Sequence, residues 1–154
     1  MGRLVGRAPD IPHTNPPPAP PVQGGVESLS APKAAKLVRD RRVAEAAGRR
    51  GERLASWWLR LHGWEILARR VRTPAGEVDI VARKANLIAF VEVKQRKTAA
   101  ALDFAIDERR LALVAAAAEV LMPRFAGPGD DIRVDVILLA PGVRPRHIEN
   151  AWIG

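Results

Sequence analysis

Two short stretches carry the side chains best placed to do chemistry: Gly76-Glu77-Val78-Asp79-Ile80-Val81 and Phe90-Val91-Glu92-Val93-Lys94. Both read as β-strands, in which alternate side chains share a face. Glu77 and Asp79 then point one way, and Val78 and Ile80 the other. In the second stretch Glu92 and Lys94 share a face, opposed by Val91 and Val93. A hairpin in the simplest register brings Asp79, Glu92 and Lys94 together. Clustered carboxylates repel one another and lose hydration unless something neutralises them. A divalent cation does so, and hard oxygen ligands suit Mg²⁺. A neighbouring lysine can orient or deprotonate a water, or stabilise charge developing on a phosphate. A solvent-facing hairpin with an ordinary ion pair would carry the same triplet, so these residues alone leave both readings open.

The surrounding pattern supplies the elements that must position these groups. From Asp40 to His62 the spacing is helical, with Ala44, Ala47, Gly51, Leu54, Ala55, Trp58 and His62 on one stripe. Trp57 stands about 100° from Trp58 on such a helix and should be the more exposed of the two. Gly63 is a plausible stop. Trp64 to Val71 reads as a first strand, closed by Thr73-Pro74-Ala75-Gly76, which has turn chemistry. Glu77 to Arg83 and Leu87 to Gln95 form the hairpin, joined through Lys84-Ala85-Asn86. Asp103 to Phe125 is an Ala-rich helix, broken by Gly127-Pro128-Gly129. Ile132 to Leu139 is apolar at nearly every position, as a strand buried on both faces would be. A last short strand covers about His147 to Trp152. The order α-β-β-β-α-β-β predicts an α/β domain, a mixed β-sheet flanked by helices.

These spaced motifs resemble a known group of proteins. An acid on a leading helix, Asp79 on a strand and Glu92-Val93-Lys94 on the next are similar to the PD-(D/E)XK nuclease superfamily, with its restriction-endonuclease-like fold. More closely, Gly51-Glu52, Gly63, Gly76 to Val81, Phe90 to Lys94, Arg133-Val134-Asp135-Val136 and Ile148 to Trp152 resemble the YraN-like family of that superfamily. The layout is also similar to archaeal-type Holliday junction resolvases. The resemblance implies that Asp79 and Glu92 hold Mg²⁺ or Mn²⁺, that Lys94 is the catalytic lysine, and that Glu52 completes the catalytic set. Glu77 ranks after these four, as an acid standing behind the ligands, a ligand itself or a turn residue. The implied activity is endonucleolytic hydrolysis of DNA phosphodiesters, on branched or structured DNA, by a homodimer. A nucleic-acid-binding protein of nuclease fold without catalysis is the alternative. Two positions depart from the family pattern. Asp107 stands where a lysine commonly opens the second helix, leaving Arg109 or Arg110 to replace it, and the Asn of an Asn-Arg pair after the first strand is missing beside Arg72.

Composition agrees with a polyanion partner. Lys and Arg number 25 against 17 Asp and Glu, a net charge of +8. Residues 33–72 hold 12 basic and four acidic side chains, so their local balance is also +8. Arg is suited to phosphate because its planar fork binds two oxygens at once. Arg49, Arg50, Arg53, Arg72, Arg96, Arg109 and Arg110 are the candidate nucleic-acid contacts. The chain has no Cys, which excludes disulfide scaffolds, thiolate zinc sites and cysteine nucleophiles. There is no phosphate-cradling glycine loop. No apolar run reaches the roughly 18 residues of a membrane helix, and the N-terminus lacks the apolar core of a signal peptide. A cytoplasmic domain is expected. Eight of 13 prolines precede residue 33, so residues 1–36 are expected to be a disordered tail and residues 37–154 the folded domain. The run Pro16–Pro21 could also serve as a polyproline ligand. His62 and His147 lack metal-ligand spacing.

Overall fold

A computed structural model describes residues 30–153. The proline run of the expected tail lies outside them. The elements are α1 (Ala31–Leu61), β1 (Glu65–Thr73), β2 (Gly76–Lys84), β3 (Leu87–Gln95), α2 (Glu108–Phe125), β4 (Asp131–Leu139) and β5 (Arg146–Ile148), with one 3-10 turn at Ala100–Leu102. Their order is the one the periodicity predicts. Three boundaries differ by more than two residues. Helix α1 begins at Ala31 rather than Asp40 and so takes in residues 31–36. Pro32 does not prevent this, because at the first helical positions its missing amide has no partner to lose. Helix α2 begins at Glu108 rather than Asp103, because the Asp107 side chain caps it by accepting from the Arg109 amide at 3.0 Å. Strand β5 ends at Ile148, because Asn150 turns the chain at φ +50° and Ala151 returns its amide to the Val134 carbonyl at 2.8 Å.

The five strands stand in the order β1-β2-β3-β4-β5. β1, β2 and β3 form an antiparallel meander; α2 then crosses over so that β4 runs parallel to β3, and β5 closes the far edge antiparallel. Each face of the sheet has its own core. On the α2 side, Phe90, Ile88, Val81, Val136 and Leu138 pack against Leu111, Val114 and Leu121. On the α1 side, Ile80, Val91, Ile137 and Trp64 pack against Ala55 and Leu59. Only Gly51, Ala55, Ser56 and Leu59 of α1 are buried, so the expected stripe is corrected. The helix touches the sheet through its last third, and Ala44 and Ala47 remain exposed beyond the sheet edge. Gly76 is needed for close approach: a Cβ there would lie 2.7 Å from the Leu113 carbonyl oxygen of α2.

One irregularity shapes everything that follows. The β2–β3 ladder ends at Ile80 and Val91. One step further the Asp79 side chain, not its backbone, reaches β3, accepting the Val93 amide at 2.7 Å. Beyond this point β2 pairs with β1 and β3 pairs with β4, so the strands part and a fork opens between them. At the same place the alternation slips. Val78 packs into the α2-side core and Ile80 into the α1-side core, while Arg70, across from Asp79 on β1, has φ +53°. Strict alternation had put Glu77 and Asp79 on one face; the slip separates them, as an extra twist at such an irregularity does.

Candidate active site

The fork opens into a cleft of about 610 Å³, lined by Glu52, Asp79, Glu92, Lys94, Arg96 and Arg110 among others. The four side chains that the sequence reading makes catalytic therefore share one cavity. Glu52 comes from α1, Asp79 from the end of the β2–β3 pairing, and Glu92 and Lys94 from the C-terminal end of β3. Ligands in sheets of this kind commonly bind beyond the carboxyl ends of parallel strands.

Glu92 is the centre of the site. It is 2% exposed, and its Oε1 takes both the Lys94 Nζ at 2.8 Å and the Arg110 Nε at 2.9 Å. Its Oε2 is buried and has no hydrogen-bond partner. A buried polar atom left alone is costly and uncommon, and asks for a ligand. Asp79 uses Oδ2 for the Val93 amide. Burial first, and then the charge of Glu92, push its carboxyl up to about 7, against the stabilising pull of that amide. Glu52 is raised as well, by burial and by the charge of Glu77, with Arg70 at 3.7 Å opposing. Burial is the main cause of both shifts, and it holds two carboxyl groups towards neutrality beside an unsatisfied carboxylate oxygen.

These donors suit a hard cation. Among the described residues no three His, Cys, Asp or Glu side chains form a ready cage. Mg²⁺ does not demand one, since it usually keeps several waters and takes one or two carboxylates. The free Oε2 of Glu92 and the carboxyl of Asp79 are both oxygen donors at this cleft, and Glu52 adds a third acid to its lining.

The remaining candidates divide between the cleft and the surface. Glu77 does not line the cleft; it meets Arg72 at 3.1 Å and Arg70 at 3.8 Å. Arg70, which sequence reasoning passed over, stands between Glu52 and Glu77 and ties the two acids together. Its φ of +53° leaves no mark in the residue type. Arg96 and Arg110 line the cleft. Arg49 and Arg53 share an adjoining basic hollow with Arg69, Arg70 and the back of Glu52. Arg50, Arg72 and Arg109 are exposed, and Arg72 donates to Glu77 outside the cleft lining. Arg110, in the first turn of α2, donates its Nε to Glu92 at 2.9 Å. Trp57 is 57% exposed, and Trp58 is packed against the core.

A second buried acid escaped the sequence reading. Asp135 on β4 is fully buried, and Arg133, His147 and the Asn150 amide all bond it. Its signal was an Arg-x-Asp alternation inside a strand otherwise read as apolar on both faces. His147 is therefore a structural partner of Asp135.

Residues 51–139 match the family described as Uncharacterised protein family UPF0102. A UPF0102 protein of Sphingopyxis alaskensis is 62% identical over 112 residues, 73% of this chain and 97% of the relative. One of Erythrobacter litoralis is also 62% identical over 112 residues, with the same coverage. One of Rhizorhabdus wittichii is 55% identical over 114 residues, covering 74% of this chain and 97% of its own length.

Proposed function

The chain belongs to the uncharacterised protein family UPF0102, the YraN-like family, and from that premise we propose that it is a metal-dependent endonuclease that hydrolyses DNA phosphodiester bonds. The observation that carries the reading is the buried, unpartnered Oε2 of Glu92 beside the raised carboxyl of Asp79. Two acids at a fork, with no positive group on one oxygen, leave room for Mg²⁺ or Mn²⁺. When bound, such an ion would supply Lewis-acid polarisation of a phosphate oxygen and a more acidic water. The chain's own residues do the rest. Glu92 and Asp79 would hold the ion, and Arg110 and Lys94 fix Glu92 in place through its other oxygen. Lys94 keeps its ammonium at the cleft wall, where it would stabilise the charge that grows on the phosphate as the bond breaks. Glu52 faces the same space from α1 and, with its raised carboxyl, could take a proton from an attacking water. Arg96 and the basic hollow of Arg49, Arg53 and Arg69 continue the cleft as a path for the phosphate backbone. Branched DNA and a homodimer follow only by analogy of fold.

The alternative is a non-catalytic nucleic-acid-binding protein, favoured by the lack of a three-acid cage among the described residues. One assay separates the two. Labelled linear, flapped and four-way-junction DNA is incubated with Mg²⁺, Mn²⁺ or EDTA, with Asp79→Ala/Glu92→Ala protein run alongside. Metal-dependent cutting that the double variant loses by at least about 10²-fold, the usual scale for removing a charge-stabilising group, is expected. Binding without cutting under either metal would leave the alternative.

No helix among the described residues is long and apolar enough to cross a membrane.

A further inference from the structure

The first 20 residues of α1, Ala31 to Arg50, stand clear of the sheet and precede residues 51–139, which match the family model. All of them are exposed except Ala34 and Ala46, which are half-buried. A helix of that size is about 30 Å long, close to one turn of B-form DNA. It carries seven Lys and Arg against two acids, a net of +5. At 100° per residue these basic side chains surround the axis, with no gap wider than about 80°. An apolar stripe of the width that docks a helix on a protein or a lipid surface is therefore absent. Two such arms would also repel one another. The arm ends at the cleft, where Ala44, Ala47 and Gly48 form part of its lining. A Cβ at Gly48 would meet nothing within 4 Å, so the helix wall there is open to a close neighbour.

From this geometry we propose that the arm is a duplex-DNA clamp that lies in the major groove and leads the phosphate backbone over the small-residue wall towards Glu92. The inference rests on the nuclease reading for what happens in the cleft, and on the arm alone for what is bound. Charge on all sides suits a groove, which presents phosphates on both walls. A helix 10–12 Å across fits the major groove of B-DNA, about 12 Å wide. The minor groove, about 6 Å wide, does not admit it. The deep, narrow major groove of A-form RNA excludes it too. The substrate class is thus double-stranded DNA, in preference to duplex RNA or a single strand.

The test uses the full chain and the triple variant Arg39→Gln/Arg41→Gln/Arg42→Gln, with circular dichroism to verify that the arm is still helical. Fluorescence anisotropy over a salt series, in EDTA so that nothing is cut, compares duplex DNA with the matching duplex RNA and single strand. Duplex DNA should bind best. In the variant the slope of log K against log salt should be shallower by about 2–3, since each lost phosphate contact removes about 0.9. An unchanged slope in a helical variant, or equal binding of duplex RNA, would overturn the clamp. Neither outcome depends on hydrolysis, so failure of the arm leaves metal-dependent cutting to be judged separately. Failure to cut, in turn, leaves the arm's binding intact.

Discussion

The protein buries two acidic centres beside neighbouring strands, and they are built on opposite terms. Asp135 takes four hydrogen bonds: Arg133 Nε at 2.7 Å and the Asn150 amide at 2.9 Å on Oδ1, Arg133 Nη2 at 2.9 Å and His147 Nε2 at 2.7 Å on Oδ2. Burial works against its charge, but those bonds more than compensate and hold its carboxyl below the usual range. Arg133 also meets Glu149 at 3.1 Å and lies over the Trp64 ring. The centre joins β4 to β5 and fixes the C-terminal turn. The Asp79–Glu92 centre is the reverse. One oxygen of Glu92 holds two cations while the other holds none, and Asp79 is driven towards neutrality. A buried acid with every lone pair engaged is architecture. One left incomplete at the mouth of a cleft costs stability, and sites that tolerate that cost are where chemistry is found.

Three substitutions would break or sharpen this contrast. The largest effect is expected at the satisfied centre. Asp135→Asn removes the charge that Arg133 needs and should cost about 3–5 kcal/mol, the usual penalty for breaking a buried pair from one side. Urea unfolding at pH 7 measures it, and a variant as stable as the parent would end the structural reading of Asp135. At the incomplete centre the sign should invert. A carboxyl whose pKa is raised on folding favours the folded state only while protonated. Its contribution therefore falls as pH rises from its unfolded value near 4 to about 7. In EDTA, Asp79→Asn should accordingly stabilise the protein at pH 8, by up to about 4 kcal/mol at 1.36 kcal/mol per pKa unit. That gain should vanish near pH 4. Asp135 runs the other way, since a lowered pKa gives stability that is present above the unfolded value and lost as pH falls through the folded one. Thermal melts of the Asp79 variant across this range decide the point; a pH-independent difference would refute the assignment. The smallest effect belongs to Glu149→Ala. Its side chain is 60% exposed at the edge of the satisfied centre, so its loss should change stability by no more than about 1 kcal/mol. A larger loss would mean that the Asp135 network extends to the surface.

Much of the fold was legible in the chain because its signals are local. Period-two alternation marked β2 and β3, a dense apolar run marked β4, and turn residues marked the breaks between them. The candidate site was legible for the same reason: Asp79, Glu92 and Lys94 lie on two strands joined by a tight turn, so their meeting needs only one hairpin register. Glu52 needed more, because α1 had to be laid across the sheet edge, and for that residue the family resemblance supplied what spacing did not. The helix stripe was misread because three-and-four spacing continues through Ala44 and Ala47, whereas the sheet ends near Gly51.

The amino-acid sequence by itself determined the element order, the acid pair with its lysine, the family and the basic sign of the N-terminal half. These depend on neighbours along the chain, or on residue type alone. The tertiary structure decided the rest. It made Asp135 a satisfied acid and Glu92 an incomplete one, although both lie inside apolar strands. It opened the fork at Asp79, turned Glu77 away through the irregularity opposite Arg70, and left the first 20 residues of α1 standing free. Each of these depends on which groups arrive from distant parts of the chain to donate or withhold a hydrogen bond, and local spacing does not contain that information.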